Sequence, residues 1–321
     1  MSFEEQWRSL VDADRIPAIG VAVAGPDGEV WTDGDDLLFP ACSISKHVAA
    51  FGTLRLVADG TLDLDTDVDT YLSSWTLPPG AGTVTLRQLL AHTAGLTENW
   101  YPGYAAGVPV PALGQVLRGL PPATTPEVRP ELAPGAGFRY SGAHYSVLEQ
   151  LLTDVTGTPF GALMAGLVLE PVGMADSSFD QRFPHQHRER AALGHQKGVP
   201  VPGGWHTQPE LAAAGLWSTP ADLVRLEREI LRAVAGESAL LPADLAAQMV
   251  TAQVPGGFGL GTELRDGCFG HSGQNTGYNC FSYVWPETGR AVAVMTGDEK
   301  WRETLLALID LAGAPPADRR R

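Results

Sequence analysis

Ser43 and Lys46, in the run Ser43-Ile44-Ser45-Lys46, place a hydroxyl and an amine three residues apart directly after the extended apolar segment Leu37–Cys42. The run His47–Ala58 continues with apolar residues at helical spacing, so the chain enters a helix here and Ser43 stands at its N-terminus. Residues at i and i+3 share one face of a helix, which brings the Lys46 amine within hydrogen-bonding reach of the Ser43 hydroxyl. A desolvated lysine releases its proton more readily, and the helix N-terminus favours negative charge beside the serine. That is the chemistry of an activated serine nucleophile. The same four residues also serve as a plain N-cap followed by a surface lysine, so the spacing needs support from the rest of the chain.

The elements that must position this pair follow from periodicity and breakers. Ile16–Ala24 reads as a strand, Gly25-Pro26-Asp27-Gly28 as a turn and Glu29–Thr32 as a second strand. Three more strands are predicted at Cys268–His271, Tyr278–Trp285 and Ala291–Met295, with a turn over Gln274–Gly277 and a closing helix from about Trp301 to Leu311. Between them, helices are predicted at 43–59, 85–92, 143–156, 220–235 and 242–250. The expected fold is α+β, an α/β sandwich. An antiparallel sheet built from both termini (1–42 and 255–321) is flanked by helices, and a mostly helical lobe spans 43–254 with the active site in the cleft between them. The Pro/Gly-rich stretches Tyr101–Pro111 and Gly198–Gly204 read as loops over that cleft.

Further segments support the catalytic reading. The chain resembles the serine β-lactamase and penicillin-binding-protein-like hydrolases, in the branch of class C β-lactamases, esterases and D-aminopeptidases. The resemblance rests on Ser43-x-x-Lys46, Leu89–Leu96 with His92-Thr93-Ala94-Gly95, Pro134-Gly135 before Tyr140-Ser141-Gly142, Glu170–Met174, Ala214–Leu223 and Gly270-His271-Ser272-Gly273. It implies that Tyr140 faces the serine and lysine and helps carry the proton, with a nearby ammonium easing ionisation of its phenol. It implies an oxyanion hole from the backbone N–H groups of Ser43 and Gln274, and a substrate-binding strand with His271, Ser272 and Gly273. Two positions depart from the β-lactamase pattern. Gly142 stands where an asparagine is usual, and His271 replaces a lysine, as in esterase-like relatives.

The remaining candidates have structural readings. Among the eight histidines, His185, His187 and His195 lie in a charged irregular stretch and read as loop residues, so no metal site is assigned. His92 is expected to pack and orient a turn near the cleft. Tyr145 reads as core, Cys42 as a buried structural thiol, and Trp100, Tyr101, Trp205 and Trp217 as pocket walls or core.

Composition sets the frame. The 321 residues carry 44% hydrophobic and 18% charged side chains, an ordinary globular balance, and exceed the usual single-core limit. A formal charge of −15 argues against nucleic acid or an anionic membrane as partner. The first residues lack a basic start and apolar core, and three cysteines suit a reducing compartment, so a cytoplasmic location is expected. The tail Pro315–Arg321 reads as a frayed end. The expected activity is hydrolysis of a small ester, amide or short peptide through a Ser43 acyl-enzyme, without cofactor. An esterase is favoured over a D-amino-acid peptidase, an amidase or an acyltransferase. A catalytically inactive ligand-sensing module is the alternative from another class. The sequence leaves the oligomeric state open.

Overall fold

A computed structural model describes residues 3–313 except 15, 35, 81, 183–187 and 256. Its centre is a six-stranded antiparallel sheet of β1 (Ile19–Ala24), β2 (Val30–Asp33), β3 (Glu263–Arg265), β4 (Cys268–Asn275), β5 (Tyr278–Trp285) and β6 (Arg290–Thr296), in the spatial order β2-β1-β6-β5-β4-β3. The first and last strands in the chain meet in the middle, with Ile19 opposite Thr296 and Ala24 opposite Ala291. Both ends of the sequence therefore build one sheet.

Alternation along these strands explains the two layers around the sheet. Val21, Val292, Val294, Phe281 and Tyr283 point to one face, where they meet Trp7 from the Phe3–Asp14 helix and Leu305, Leu308 and Ile309 from the Arg302–Gly313 helix. The opposite face carries Ala22, Ala24, Ala291, Ala293 and Met295. These short side chains admit the Pro220–Val234 helix, which packs on β1, β5 and β6. That helix starts as its sequence directs, with Thr219 accepting from the Asp222 N–H and Pro220 in the first turn.

The Ile44–Ala58 helix lies deeper. It is buried nearly all round, which matches its lack of a polar stripe. Gly52 lets it approach a neighbouring helical segment, because a Cβ there would sit 2.8 Å from Met164 Sδ. The other predicted helices form at Leu86–Leu90, Gly142–Thr156 and Ala243–Met249. Leu86–Leu90 begins with a reciprocal Thr85–Gln88 capping box.

Four features differ from expectation. The Phe3–Asp14 helix and edge strand β3 were not anticipated, the latter because three residues carry too little alternation to register. Strand β4 continues to Asn275, so the turn expected over Gln274–Gly277 is confined to its last two residues and Gln274 pairs with Asn279. The Gly198–Gly204 stretch begins with a short strand, Val199–Pro200, paired with His195–Gln196, and it is Gln196 that reaches the cleft. His185, His187 and Pro315–Arg321 lie outside the described residues.

Candidate active site

The turn entering the Ile44–Ala58 helix sets the position of Ser43. Cys42 adopts φ 53°, a left-handed conformation that costs a non-glycine residue about 1 kcal/mol. Its carbonyl is held by the Ser45 hydroxyl at 2.5 Å, and the Ala41 N–H donates to Leu216 O at 2.8 Å. The Cys42 thiol is buried and donates to Pro40 O at 3.4 Å, in keeping with a structural role. Ser43 then caps the helix through its backbone, leaving its hydroxyl free of any cap bond.

Lys46 follows one turn later. Its Nζ donates to Ser43 Oγ at 3.0 Å and to Ala213 O at 2.6 Å, and the side chain is buried. Burial without a carboxylate in contact lowers its pKa to about 7, against the more distant pull of Cys42 and Glu263. At neutral pH a large fraction of Lys46 is the free amine. No local pattern points to Ala213 as its anchor, since the two are 167 residues apart.

Tyr140 completes the triangle. Its side chain lines the same cavities as Ser43, and its ring lies 5.1 Å from Lys46 Nζ. Desolvation raises the phenol well above its ordinary pKa, outweighing the opposing influence of the Ser43 hydroxyl. This corrects the expectation of an easily ionised phenol: a half-neutral lysine offers little positive charge to hold a phenolate.

The ring of Tyr140 is clamped between His92 (4.3 Å between centroids) and the exposed indole of Trp100 (5.5 Å, stacked). His92 also fixes the backbone on both sides, because the Arg139 N–H donates to His92 O at 2.8 Å and the Ser141 N–H to His92 Nδ1 at 3.2 Å. Accepting there puts the His92 proton on Nε2, so His144, whose Nδ1 is 3.0 Å away, is the donor of that pair. Burial keeps both rings neutral, with His144 lowered to about 3.

Strand β4 forms the opposite wall. Gly273 permits its approach, because a Cβ there would lie 2.7 Å from Ala41 O and 3.0 Å from Ser43 N. The Ser272 N–H donates to the Glu263 carboxylate at 3.2 Å, on the side away from β5. Period-two alternation then aims the Gln274 N–H along the same side, past the end of β3, at the cleft that Ser43 and Gln274 both line. Two backbone donors can thus converge on one carbonyl oxygen.

His271 behaves differently from the expectation that it touches substrate. Its side chain is fully buried, lines neither cavity at Ser43, and packs 6.2 Å from Tyr140 and 6.0 Å from Phe258. On β4 it shares the face of Gly273, which is turned to the Ile44–Ala58 helix, and it is buried there beside His47 and Tyr140. Burial lowers its pKa to about 4 despite Glu263 at 3.6 Å. The neutral ring spends its Nδ1–H on Ser272 O at 2.6 Å, so no proton remains on Nε2 for a substrate. It supports the back of Tyr140 and the strand.

Gly142 borders the cleft, but its lack of side chain is enforced. A Cβ there would come within 2.5 Å of the Tyr101 ring and 3.0 Å of Asn99 O. Tyr101, bonded to Ser146 Oγ at 2.8 Å, fills that space, and Asn99 beside it contributes an amide to the lining. Of the four aromatic candidates, Trp100 and Tyr101 line the cavity. Trp205 and Trp217 pack on each other at 5.6 Å, beside Leu38 and Ala191. Tyr145 is core, its hydroxyl on Leu90 O at 3.1 Å, and His195 bonds Gly297 O at 3.0 Å.

Sequence reasoning missed two buried carboxyls behind Lys46. Glu149 accepts from the Ala212 N–H at 2.9 Å, and Glu210 stands just before the Leu211–Ala214 turn that carries the Ala213 carbonyl, its side chain making no cap bond. Burial raises Glu149 to about 8 and Glu210 to about 7.

A nucleophile with a neutral amine, a phenol and two backbone donors around one cavity of about 370 Å³ is the equipment of a covalent serine hydrolase. The chain belongs to the Beta-lactamase family, whose sequence profile matches residues 3–313. It is 34% identical over 184 residues to esterase EstB of Burkholderia gladioli, covering 52% of this chain and 44% of that protein. Over 206 residues it is 27% identical to the D-alanyl-D-alanine-carboxypeptidase/endopeptidase AmpH of Escherichia coli K12, covering 61% and 49%. The matches thus span about half the length of these curated relatives. The fold is shared with D-amino acid amidase from Ochrobactrum anthropi SV3, solved with L-phenylalanine amide, at TM-score 0.78, 22% identity and 97% coverage of both chains.

Proposed function

We propose that this protein is a serine hydrolase that acts on small esters or amides through an acyl-enzyme on Ser43, with esters preferred to β-lactams. The observation that carries the reading is the buried Lys46 amine 3.0 Å from Ser43 Oγ, with its pKa brought down to about 7. Neutral Lys46 takes the Ser43 proton as Oγ bonds to the substrate carbonyl carbon. The N–H groups of Ser43 and Gln274 hold the oxyanion, and the Tyr140 phenol passes a proton from Lys46 to the departing alcohol or amine. Water enters by the same route in reverse and releases the acid. The protein is placed in the cytoplasm by the same proposal, on its sequence character alone.

The preference for esters is supported by what surrounds Gly142 and His271. Tyr101 occupies the space of an amide side chain at 142, and His271 presents neither charge nor proton to the cleft. Small esters need less grip on their acyl arm than a bicyclic lactam does. The likeness to an esterase over half the chain points the same way. Labelling with a fluorophosphonate and digestion should place the adduct on Ser43, and a p-nitrophenyl short-chain ester should be turned over with a higher kcat/KM than a cephalosporin. An unlabelled Ser43 in folded protein would refute the reading, and a cephalosporin preference would reverse its specificity.

A further inference from the structure

Strand β3 is too short to guide β4 as far as the cleft. It pairs with β4 through Glu263 opposite Gly270, Leu264 opposite Phe269 and Arg265 opposite Cys268, while β4 runs on to Asn275. Continued at the same register, β3 would bring Gly261 opposite Ser272. Instead the Gly261 N–H turns away to Leu90 O at 3.0 Å. Among the described residues no strand therefore accompanies the outer edge of β4 from Ser272 to Gln274, although the oxyanion needs the Gln274 N–H at a fixed point.

The Glu263 side chain fills that gap. Its carboxylate accepts the Ser272 N–H at 3.2 Å, as a carbonyl of a longer strand would, and the Ser272 hydroxyl at 2.9 Å. Tyr283 orients it. On β5 Tyr283 stands opposite Gly270, so Glu263, Gly270 and Tyr283 form one row across the sheet. Gly270 has no side chain to intervene, and the Tyr283 hydroxyl reaches past it to donate to Glu263 Oε2 at 2.5 Å. Arg302 secures the other end, its Nη2 donating to Ser272 Oγ at 3.4 Å and its guanidinium lying 5.0 Å over the Phe281 ring.

A carboxylate near a growing oxyanion would oppose the reaction unless its charge were spent elsewhere. Both Glu263 oxygens take donors from β4 and β5, His271 Nδ1 is 3.6 Å from Oε1, and Arg302 adds a positive charge beside Ser272. Burial opposes ionisation, but these neighbours outweigh it and hold the Glu263 pKa below the ordinary carboxylate value. The group thus stays an ionised acceptor at neutral pH, and a charged acceptor holds the Ser272 N–H more firmly than a neutral one.

We propose that Glu263 is a positioning residue of the oxyanion hole: its carboxylate stands in for the missing stretch of β3, holds the Ser272 N–H and thereby fixes the Gln274 N–H at the next outward position. This role rests on hydrolysis at Ser43 with Ser43 and Gln274 as the two backbone donors. Loss of Glu263 lowers kcat and leaves substrate binding nearly unchanged, because a displaced donor fails the oxyanion and not the ground-state carbonyl. Glu263 also borders the cavity of about 260 Å³ beside Ser43. Direct contact with substrate is therefore the rival role, and it would show in KM.

The test uses a short-chain ester and its thiono twin, in which sulfur replaces the carbonyl oxygen, because the ratio of their kcat/KM values reports on the oxyanion hole. In wild type the ratio should be about 100 or more. Glu263→Ala should lower kcat for the ester about 10²-fold with KM within about threefold, and should cut the ratio about tenfold. Glu263→Gln keeps an acceptor oxygen for the Ser272 N–H and should bring kcat and the ratio back to within about fivefold of wild type. Tyr283→Phe frees one carboxylate oxygen, should lower the ratio about threefold, and decides the matter if Glu263→Ala does not fold. A wild-type ratio in the deciding variant, a loss confined to KM, or no rescue by glutamine overturns the proposal. If Ser43 of the wild type resists fluorophosphonate and neither ester reacts, hydrolysis at Ser43 and this role fall together. Should Ser43 label and the esters turn over while the deciding variant keeps the wild-type ratio, only the role of Glu263 falls.

Discussion

Lys46 and His47 are consecutive residues on one helix, both buried, and their surroundings send them in opposite directions. Lys46 faces the cleft, where its contacts are a hydroxyl and a carbonyl, and burial lowers its pKa to about 7. His47 faces the Pro220–Val234 helix. Burial opposes its charge too, but the Glu227 carboxylate at 3.3 Å, with help from Gly261 O at 2.9 Å, outweighs it and raises the pKa. The same helix thus supplies a poised base on one side and a buried ionic tie on the other. What separates them is one carboxylate, contributed by a segment 180 residues away.

The largest effect expected from this contrast is on the cleft side. Ser43→Ala should abolish the burst of p-nitrophenolate from an activated ester. Lys46→Ala should lower kcat by about 10³-fold or more, and Tyr140→Phe by about 10²-fold. Because the three act as a unit, the double variant Lys46→Ala/Tyr140→Phe should lose far less than the product of the single losses. Additive losses measured in a double-mutant cycle would separate Tyr140 from the Lys46–Ser43 pair.

On the other side the loss should be in stability rather than chemistry. Glu227→Ala leaves His47 without its counter-charge and should cost about 3 kcal/mol, read as a fall in Tm of roughly 5 °C or more. The sign with pH follows from the raised pKa of His47. The pair's contribution is full below the ordinary histidine value and is lost as pH rises through the folded-state value, so the Tm gap should be widest in acid and narrow in alkali. An equal gap from pH 5 to 9 would mean that His47 does not titrate in that range.

How much of this was legible in the sequence depended on distance along the chain. Ser43 and Lys46 were legible because i, i+3 geometry is local, and the five longer predicted helices formed within one or two residues of expectation. Gln274 could be placed because strand parity is also local, although the strand proved longer than predicted. The partners that decide protonation were hidden: Ala213, Glu263, Glu149 and Glu210 around the cleft, and Glu227 on the far side of the helix, each come from a remote segment. His271 is more deeply buried than expected for the same reason, since a motif match gives a position on a strand but not which remote side chains cover it.

Gly142 shows how two such distant segments share one space, and it gives a smaller, sharper test. Asparagine at 142 would restore the β-lactamase residue on paper, yet its Cβ falls 2.5 Å from the Tyr101 ring. Gly142→Asn should therefore cost about 1–3 kcal/mol and gain no cephalosporin hydrolysis. Adding Tyr101→Ala should recover part of the stability by vacating that space. A Gly142→Asn variant with wild-type Tm would show that Tyr101 moves aside freely.

The smallest effect, and the one that probes the cleft most finely, is the pH profile. Lys46 acts as base only when unprotonated, so kcat/KM for a neutral ester should rise through about pH 7. Glu149, at about 8, and Glu210, at about 7, bring a second titration directly behind it. Both are neutral acids below these values. Once both ionise they are like charges in a buried space, and they press on the Leu211–Ala214 turn whose Ala213 carbonyl holds Lys46. A pKa raised in the folded state also means that stability from the neutral acids is full below about 4.5 and is lost as pH climbs through 8. The expected profile is a bell with a falling limb beginning near pH 8, about tenfold down over the next unit or so. Glu149→Gln keeps the Ala212 hydrogen bond through its amide oxygen and cannot ionise. It should retain the rising limb and flatten the falling one, whereas a variant profile superimposable on wild type would assign the alkaline loss elsewhere.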